Sequence, residues 1–304
     1  MRIAIFDLGS NVFNLLIAQV SKGLCISEKI VKEPARIGVG GFQKGELSTQ
    51  SLSAAIGAFN KLYEVVKSYP NIEAIKIFAT SAVRDSANGA LFAKMIEEKF
   101  GQKIEIISGD REAELIYKGV RESIILYNET ILILDIGGGS NELIIADRDK
   151  ILWKESYPLG IIRMKELLQP SDPITAAQIK EYKEYIDRVL LPFYNVVKEY
   201  SPKLMVGSSG SFDTLRELID PKDDFSLPLK ELPIDSFLKL HSRLLASTLA
   251  QRVEMSPMMP IRAEYMVLGS LFIEHLIGKV GIEELFQSSY SLKEGYMAEF
   301  ASTL

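Results

Sequence analysis

The sequence contains a partial copy of itself, and that copy narrows the possible folds more than any other feature. Residues Ile3 to Asn11 read IAIFDLGSN, and residues Ile131 to Asn141 read ILILDIGGGSN. Each is a short apolar run, rich in β-branched residues, that ends in Asp-x-Gly and then Ser-Asn. A second strand-like run follows each one, FNLLIAQV from Phe13 and ELIIAD from Glu142, and then a third, LCISEKIV from Leu24 and ILWKESY from Ile151. The separation is far too long for a solenoid, so the pattern predicts a duplicated domain.

Both halves then turn helical. Leu52, Ile56, Phe59, Tyr63 and Val66 recur at helical spacing behind Ser48 and Ser51 as caps. In the second half Thr175 and Gln178 make a capping-box pair ahead of Ile179, Tyr182, Ile186, Val189, Phe193 and Val197, with a kink expected at Pro192. A fourth strand comes next in each half, from Ile75 and from Lys203. The first half adds a fifth from Lys103 and a helix over about 111–123. Strands and helices that alternate after a three-strand meander specify an α/β fold with a mixed sheet flanked by helices. The segment Asp220 to Pro233 reads as an exposed loop. At 304 residues two domains are expected, assigned as 1–124 and 125–304, with a C-terminal helix over about 285–304 packing back onto the first.

Composition excludes several function classes. Net charge is −5, from 35 Lys+Arg against 40 Asp+Glu, which lacks the basic excess of a nucleic-acid binder. Cys25 is the single cysteine, which removes a disulfide framework and a cysteine zinc site, and His241 and His275 are too few for a multi-histidine site. No apolar run reaches the ~18 residues of a membrane span. Asp7, Asn11 and Asn14 interrupt the apolar N-terminus, so no secretory signal is expected and the location expected is cytoplasmic.

The chemistry concentrates at the strand ends. Gly9, Gly137, Gly138 and Gly139 let the backbone turn sharply and aim N–H groups at an anion, and Ser10, Asn11, Ser140 and Asn141 add side-chain donors. Asp7 and Asp135 suit Mg2+, a hard cation that takes carboxylate and phosphate oxygens. One such loop alone is equally an ordinary Asp-Gly turn. A matched pair reads as a phosphate clamp. The turn GSSGS, with Gly207, Ser208, Gly210 and Ser211, is either a plain strand-to-helix connection or a third phosphate contact at a helix N-terminus. Arg84 offers a guanidinium fork for phosphate or pairs locally with Asp85. Glu112 shares the inward stripe of its helix with Leu115, Ile116 and Gly119; it either orients and deprotonates a water or simply complements the helix dipole. Glu142 joins the metal carboxylates or is solvated. Arg262, read as opening the helix that carries Met266, is a phosphate contact or a surface charge.

Taken in order along the chain, these segments resemble the exopolyphosphatase and guanosine pentaphosphate phosphatase (Ppx/GppA) family of the actin/Hsp70/sugar-kinase superfamily. The resemblance rests on DLGSN at Asp7, ATSAVRDSAN at Ala79, ISGDREAELIYKGV at Ile107, DIGGGSNEL at Asp135, VGSSGSF at Val206, LGIIRMKE at Leu159, IRAEYMVLG at Ile261 and SLKEG at Ser291. It implies two actin-like (ribonuclease H-like) domains, each with a mixed five-stranded sheet, and an active site in the interdomain cleft. The implied reaction is Mg2+-dependent removal of a terminal phosphate, with Mn2+ an alternative ion. Glu112 would be the catalytic base, Asp7, Asp135 and Glu142 would arrange the metal, and the glycine loops and Arg84 would hold phosphates. Three positions depart from the family pattern: Val12 replaces a second serine, Asn14 a frequent arginine, and Arg111 the first glutamate of a pair, where it would partly compensate for the lost cation. At 304 residues the extra C-terminal domains of long exopolyphosphatases are not expected.

The substrate expected is inorganic polyphosphate, with guanosine pentaphosphate (pppGpp) as the alternative. An ATP-dependent kinase or ATPase, or a non-catalytic sensor of polyphosphate or (p)ppGpp, would use the same fold. A homodimer is compatible with the chain.

Overall fold

The computed structural model describes residues 1–123 and 129–304. In chain order the elements are β1 (Arg2–Leu8), β2 (Val12–Ser21), β3 (Leu24–Pro34), α1 (Thr49–Ser68), β4 (Ile72–Ala79), α2 (Ser81–Arg84), α3 (Gly89–Phe100), β5 (Glu105–Ile106) and α4 (Gly109–Ser123). They continue with β6 (Ile131–Ile136), β7 (Asn141–Ala146), β8 (Ile151–Tyr157), α5 (Ile161–Leu168), α6 (Ala176–Val189), α7 (Leu191–Tyr200), β9 (Leu204–Ser208) and α8 (Ser209–Ile219). The last are β10 (Leu229–Glu231), α9 (Ile234–Ala246), α10 (Leu249–Val253), α11 (Pro260–Ala263), α12 (Met266–Val280), β11 (Glu284–Ser288) and α13 (Leu292–Ala301). They form two compact units, residues 1–122 with 292–304, and residues 123–291. The sequence-based boundary at 124/125 lies outside the described residues. No described helix is long and apolar enough to cross a membrane.

In the first unit the strand order is β3-β2-β1-β4-β5. β1 pairs antiparallel with β2 and parallel with β4, so it lies mid-sheet, which its apolar sequence requires. Phe6, Phe13, Phe59 and Phe92 are wholly buried, and the Phe6 and Phe59 rings stack at 5.1 Å. α1 starts where Ser48 Oγ accepts the Ser51 N–H at 3.0 Å.

The second unit repeats that order as β8-β7-β6-β9-β11 and adds β10 at the edge. The sheet therefore has six strands rather than five. Residues 284–288, expected within a C-terminal helix, form β11 instead, because they lie parallel to β9 and extend its ladder. The helix begins only at Leu292. The segment 220–233 is likewise only partly a solvated loop. It contains β10, and buried Arg216 gathers the rest by donating to Asp223 Oδ1 (2.5 Å), Leu227 O (3.0 Å) and Gln287 Oε1 (2.8 Å).

Two helix readings also change. Pro192 sits at the first turn of a separate helix, α7, so the chain breaks between Val189 and Leu191 rather than kinking. Arg262 lies on one-turn α11, and α12 starts afresh at Met266.

Candidate active site

In the first unit, β1 ends at the first Asp-x-Gly loop. Asp7 faces Asn14 across the β1–β2 ladder, and Asn14 Nδ2 donates to Asp7 Oδ2 at 3.0 Å. Ser10 is buried with its Oγ 3.1 Å from that of Ser81, which ties the loop to the start of α2. The loop carbonyls are occupied from behind: Asn11 O accepts from the Ala35 and Arg36 N–H groups, and Ser10 O from Gly38.

The same unit brings Arg84 and Glu112 together. Arg84 ends α2 just beyond the carboxyl end of β4, and Glu112 stands in the first turn of α4, buried on the inward stripe. Arg84 Nη1 donates to Glu112 Oε2 at 2.8 Å and to Ile107 O at 3.1 Å, and Nε contacts Asp85 at 3.3 Å. The local pairing with Asp85 thus exists, but the shorter bond goes to Glu112. A guanidinium carries five N–H donors, enough to orient a carboxylate and still meet a phosphate oxygen. Arg111, expected to offer a cation to the loop, instead binds Glu299 and Glu114, and these carboxylates raise its pKa.

In the second unit Asp135 and Glu142 face each other directly across the β6–β7 ladder, both buried. Two carboxylates so placed repel unless hydroxyls, protons or a cation intervene. Hydroxyls do so here. Asp135 Oδ2 accepts from Ser208 (2.7 Å), Ser209 (2.5 Å) and Ser291 (2.9 Å), and Glu142 Oε1 from Ser140 (2.8 Å) and Ser156 (2.7 Å). Ser209 reaches Asp135 from a left-handed backbone, φ 68°, a strained state for serine.

The start of α5 organises the glycine loop. The N–H groups of Ile161, Ile162 and Arg163 donate to Gly137 O and Gly138 O, and Arg163 Nε donates to Gly139 O at 2.7 Å. A helix N-terminus thereby takes up the loop's carbonyls, which favours presentation of the loop's N–H side to an anion. Gly160 is needed there, since a Cβ would stand 2.4 Å from the Gly138–Gly139 backbone. Asn141 is buried, and its Nδ2 donates to Leu159 O at 3.0 Å.

Gly207 and Ser208 end β9, and Gly210 and Ser211 lie in the first turn of α8. Gly210 also makes room for Arg262, whose Nη1 would lie 1.6 Å from a Cβ at that position. The Arg262 side chain makes no hydrogen bond or ion pair among the described residues; the backbone N–H donates to Met259 O. Burial lowers its pKa, while Asp213 and Glu217 pull it back up.

Sequence reading missed Ser81, Ser156, Arg163, Ser209 and Ser291. Only Ser156 had a local signal, because strand alternation places it opposite Glu142.

The sequence model of the Ppx/GppA phosphatase family matches residues 16–303. The chain belongs to the Ppx/GppA phosphatase family. Exopolyphosphatase 2 of Mycobacterium tuberculosis is 27% identical over 316 aligned positions, covering 99% of this chain and 98% of that protein. The guanosine-5'-triphosphate,3'-diphosphate pyrophosphatase of Vibrio vulnificus is 29% identical over 216 positions, covering 71% of this chain and 43% of that one. Among solved structures, an exopolyphosphatase from Cytophaga hutchinsonii superposes with TM-score 0.96 at 29% identity, covering 100% and 99% of the two chains. The Aquifex aeolicus Ppx/GppA member gives 0.81 at 22%, covering 100% and 98%, and speaks to the fold alone. The chain is accordingly a phosphatase of this family.

Family membership implies a divalent cation, and the donor set fits one. Among the described residues no three His, Cys, Asp or Glu side chains converge on a metal position. Mg2+ does not require that, because it binds through one or two carboxylates and completes its shell with water and substrate phosphate. Asp135 suits this role. Its Oδ2 is saturated by serines, while Oδ1 accepts no hydrogen bond among the described residues, which leaves an oxygen for a hard cation.

Proposed function

We propose that the chain is an exopolyphosphatase that removes the terminal phosphate of inorganic polyphosphate. The observation that carries this reading is end-to-end similarity to exopolyphosphatases, against a match to less than half of the guanosine pentaphosphate relative. The second reading, pppGpp 5'-phosphohydrolase, is favoured by the 29% identity within that shorter match.

Glu112 takes the proton of the attacking water as the water oxygen bonds to the terminal phosphorus. The bridging P–O bond breaks, and the shortened chain leaves with its electrons. Arg84 orients Glu112 and donates to the terminal phosphate. The Gly137 N–H donates to Ser140 O at 3.0 Å and closes its loop, and backbone N–H groups at Gly9, Gly138 and Gly139 hold phosphate oxygens. So do Ser10, Asn11, Asn141 and the backbone of the Gly207, Ser208, Gly210 and Ser211 turn, with Arg262 beside it; the Ser140 and Ser208 hydroxyls donate to Glu142 and Asp135 instead. Asp135 would hold Mg2+, with Glu142 and Asp7 acting through the ion's water shell rather than as direct ligands, and the ion would neutralise phosphate charge when bound.

The test is phosphate release, with Mg2+, from polyphosphates of several lengths, pppGpp and ATP, for the native chain and Glu112→Gln. Polyphosphate turnover is expected to fall by about 10²–10⁴-fold in Glu112→Gln, with polyphosphate binding retained. Cleavage of pppGpp alone would transfer the assignment to the second reading. Cleavage of ATP alone would indicate a kinase-like ATPase.

A further inference from the structure

A base works only where its helix places it, and in the first unit one further helix touches both elements that carry the reacting pair. Tyr296 of α13 meets Phe78 of β4 edge-on at 5.0 Å, and Lys76 of the same strand lies over the Tyr296 ring at 5.8 Å. β4 leads into α2 and Arg84. On its other side α13 grips α4, the helix of Glu112. Arg111 and Lys118 are seven residues apart, two turns along one face of α4. Glu299 of α13 bridges them, accepting from Arg111 Nη2 on Oε1 and from Lys118 Nζ on Oε2. One turn earlier Gly295 brings the α13 backbone against the middle of that face, where a Cβ would lie 1.8 Å from Leu115 O.

The side chains of Arg111, Lys118 and Glu299 are about a quarter to a third exposed, at 29%, 34% and 25%. Ion pairs this open contribute little to stability. What this one does is geometric: two cations held by one carboxylate fix both the rotation and the axial position of α4, and the Tyr296 contact refers that position to β4, the strand that leads into the helix of Arg84.

We propose that Glu299 is a positioning residue for phosphate transfer, acting through Arg111 and Lys118 to set where α4 presents Glu112 to Arg84. The proposal rests on the reading of Glu112 as the base.

The experiment uses the full chain with Mg2+ and polyphosphate. Both Glu299→Gln and Arg111→Gln are expected to lower kcat by about tenfold, with KM within about twofold and Tm unchanged. The double variant should lose no more than Glu299→Gln alone, because Glu299→Gln already removes the Arg111 pair. Arg111→Lys should retain more than half of kcat. Amide exchange over residues 109–116 should quicken in Glu299→Gln. Native kcat in both single variants, or a loss of activity matched by a loss of Tm, would overturn the proposal. Glu112→Gln tests the underlying reading separately: full turnover in that variant removes the base assignment whatever Glu299→Gln does.

Discussion

At the scale of single residues, the two halves differ where they ought to match. Strand register places Asn14 opposite Asp7 and Glu142 opposite Asp135, so one half sets an amide against its aspartate and the other a second carboxylate. Register likewise equates Val12 with Ser140, and Ser140 donates to Glu142. The departure at Val12 thus removes from the first loop a hydroxyl that the second retains, whereas the cation missing at Asn14 has no counterpart in the second loop, which carries the Glu142 carboxylate there. Gly210 offers a direct test of the third turn. In Gly210→Ala the new methyl displaces the Arg262 guanidinium, and KM for polyphosphate should rise by about three- to tenfold while Tm barely moves. An unchanged KM removes Arg262 from the site. The Arg216–Asp223 pair is structural by contrast. Asp223→Asn leaves a buried guanidinium partly unpaired and should cost about 3 kcal/mol in urea unfolding.

At the scale of elements, Asp187 of α6 joins three helices. Its Oδ1 accepts from Tyr194 of α7 (2.8 Å) and His275 of α12 (2.7 Å), and its Oδ2 faces Lys279 Nζ at 2.8 Å. Burial alone would raise its pKa, but the bonds from Lys279, Tyr194 and His275 bring it down to about 2. A carboxyl depressed on folding contributes stability above its unfolded pKa of about 3.9. That contribution is lost as pH falls from there toward 2. Asp187→Asn should flatten the dependence of unfolding free energy on pH across that window; an unaltered slope would show that the node does not hold the helices. In Gly295→Ala a methyl meets backbone rather than a movable side chain, so about 1–3 kcal/mol of stability should be lost. A native Tm in that variant would mean that α13 can shift away from α4.

At the scale of the whole molecule, much of the architecture was legible because it is written twice. The paired Asp-x-Gly runs foretold two sheets of matching strand order, and the offsets 112, 115, 116 and 119 foretold the inward face that buries Glu112. The unread parts depend on contacts distant in sequence. β11 is only 284–288 and exists through its pairing with β9. Ser209 and Ser291 reach Asp135 from 74 and 156 residues away. Alignment on Ser-Asn also misled, because the two hairpins share one register while Ser-Asn sits two residues further from its aspartate in the second: Asn11 stays in its loop, whereas Asn141 opens β7. For the cation, Asp135→Asn and Asp7→Asn should each raise the Mg2+ concentration for half-maximal activity, by about tenfold or more. Unaltered Mg2+ dependence in both would remove them from the ion's shell.

The return of α13 to the first unit bears on synthesis. Residues 123–291 form an unbroken stretch, so that unit has all its strands in hand before translation ends. The first unit, begun earlier, waits for residues 292–304 to leave the ribosome before Gly295, Tyr296 and Glu299 can close over β4 and α4. The portion of chain made first is completed last, and until then Phe78 and the Leu115 face of α4 lack the helix that covers them.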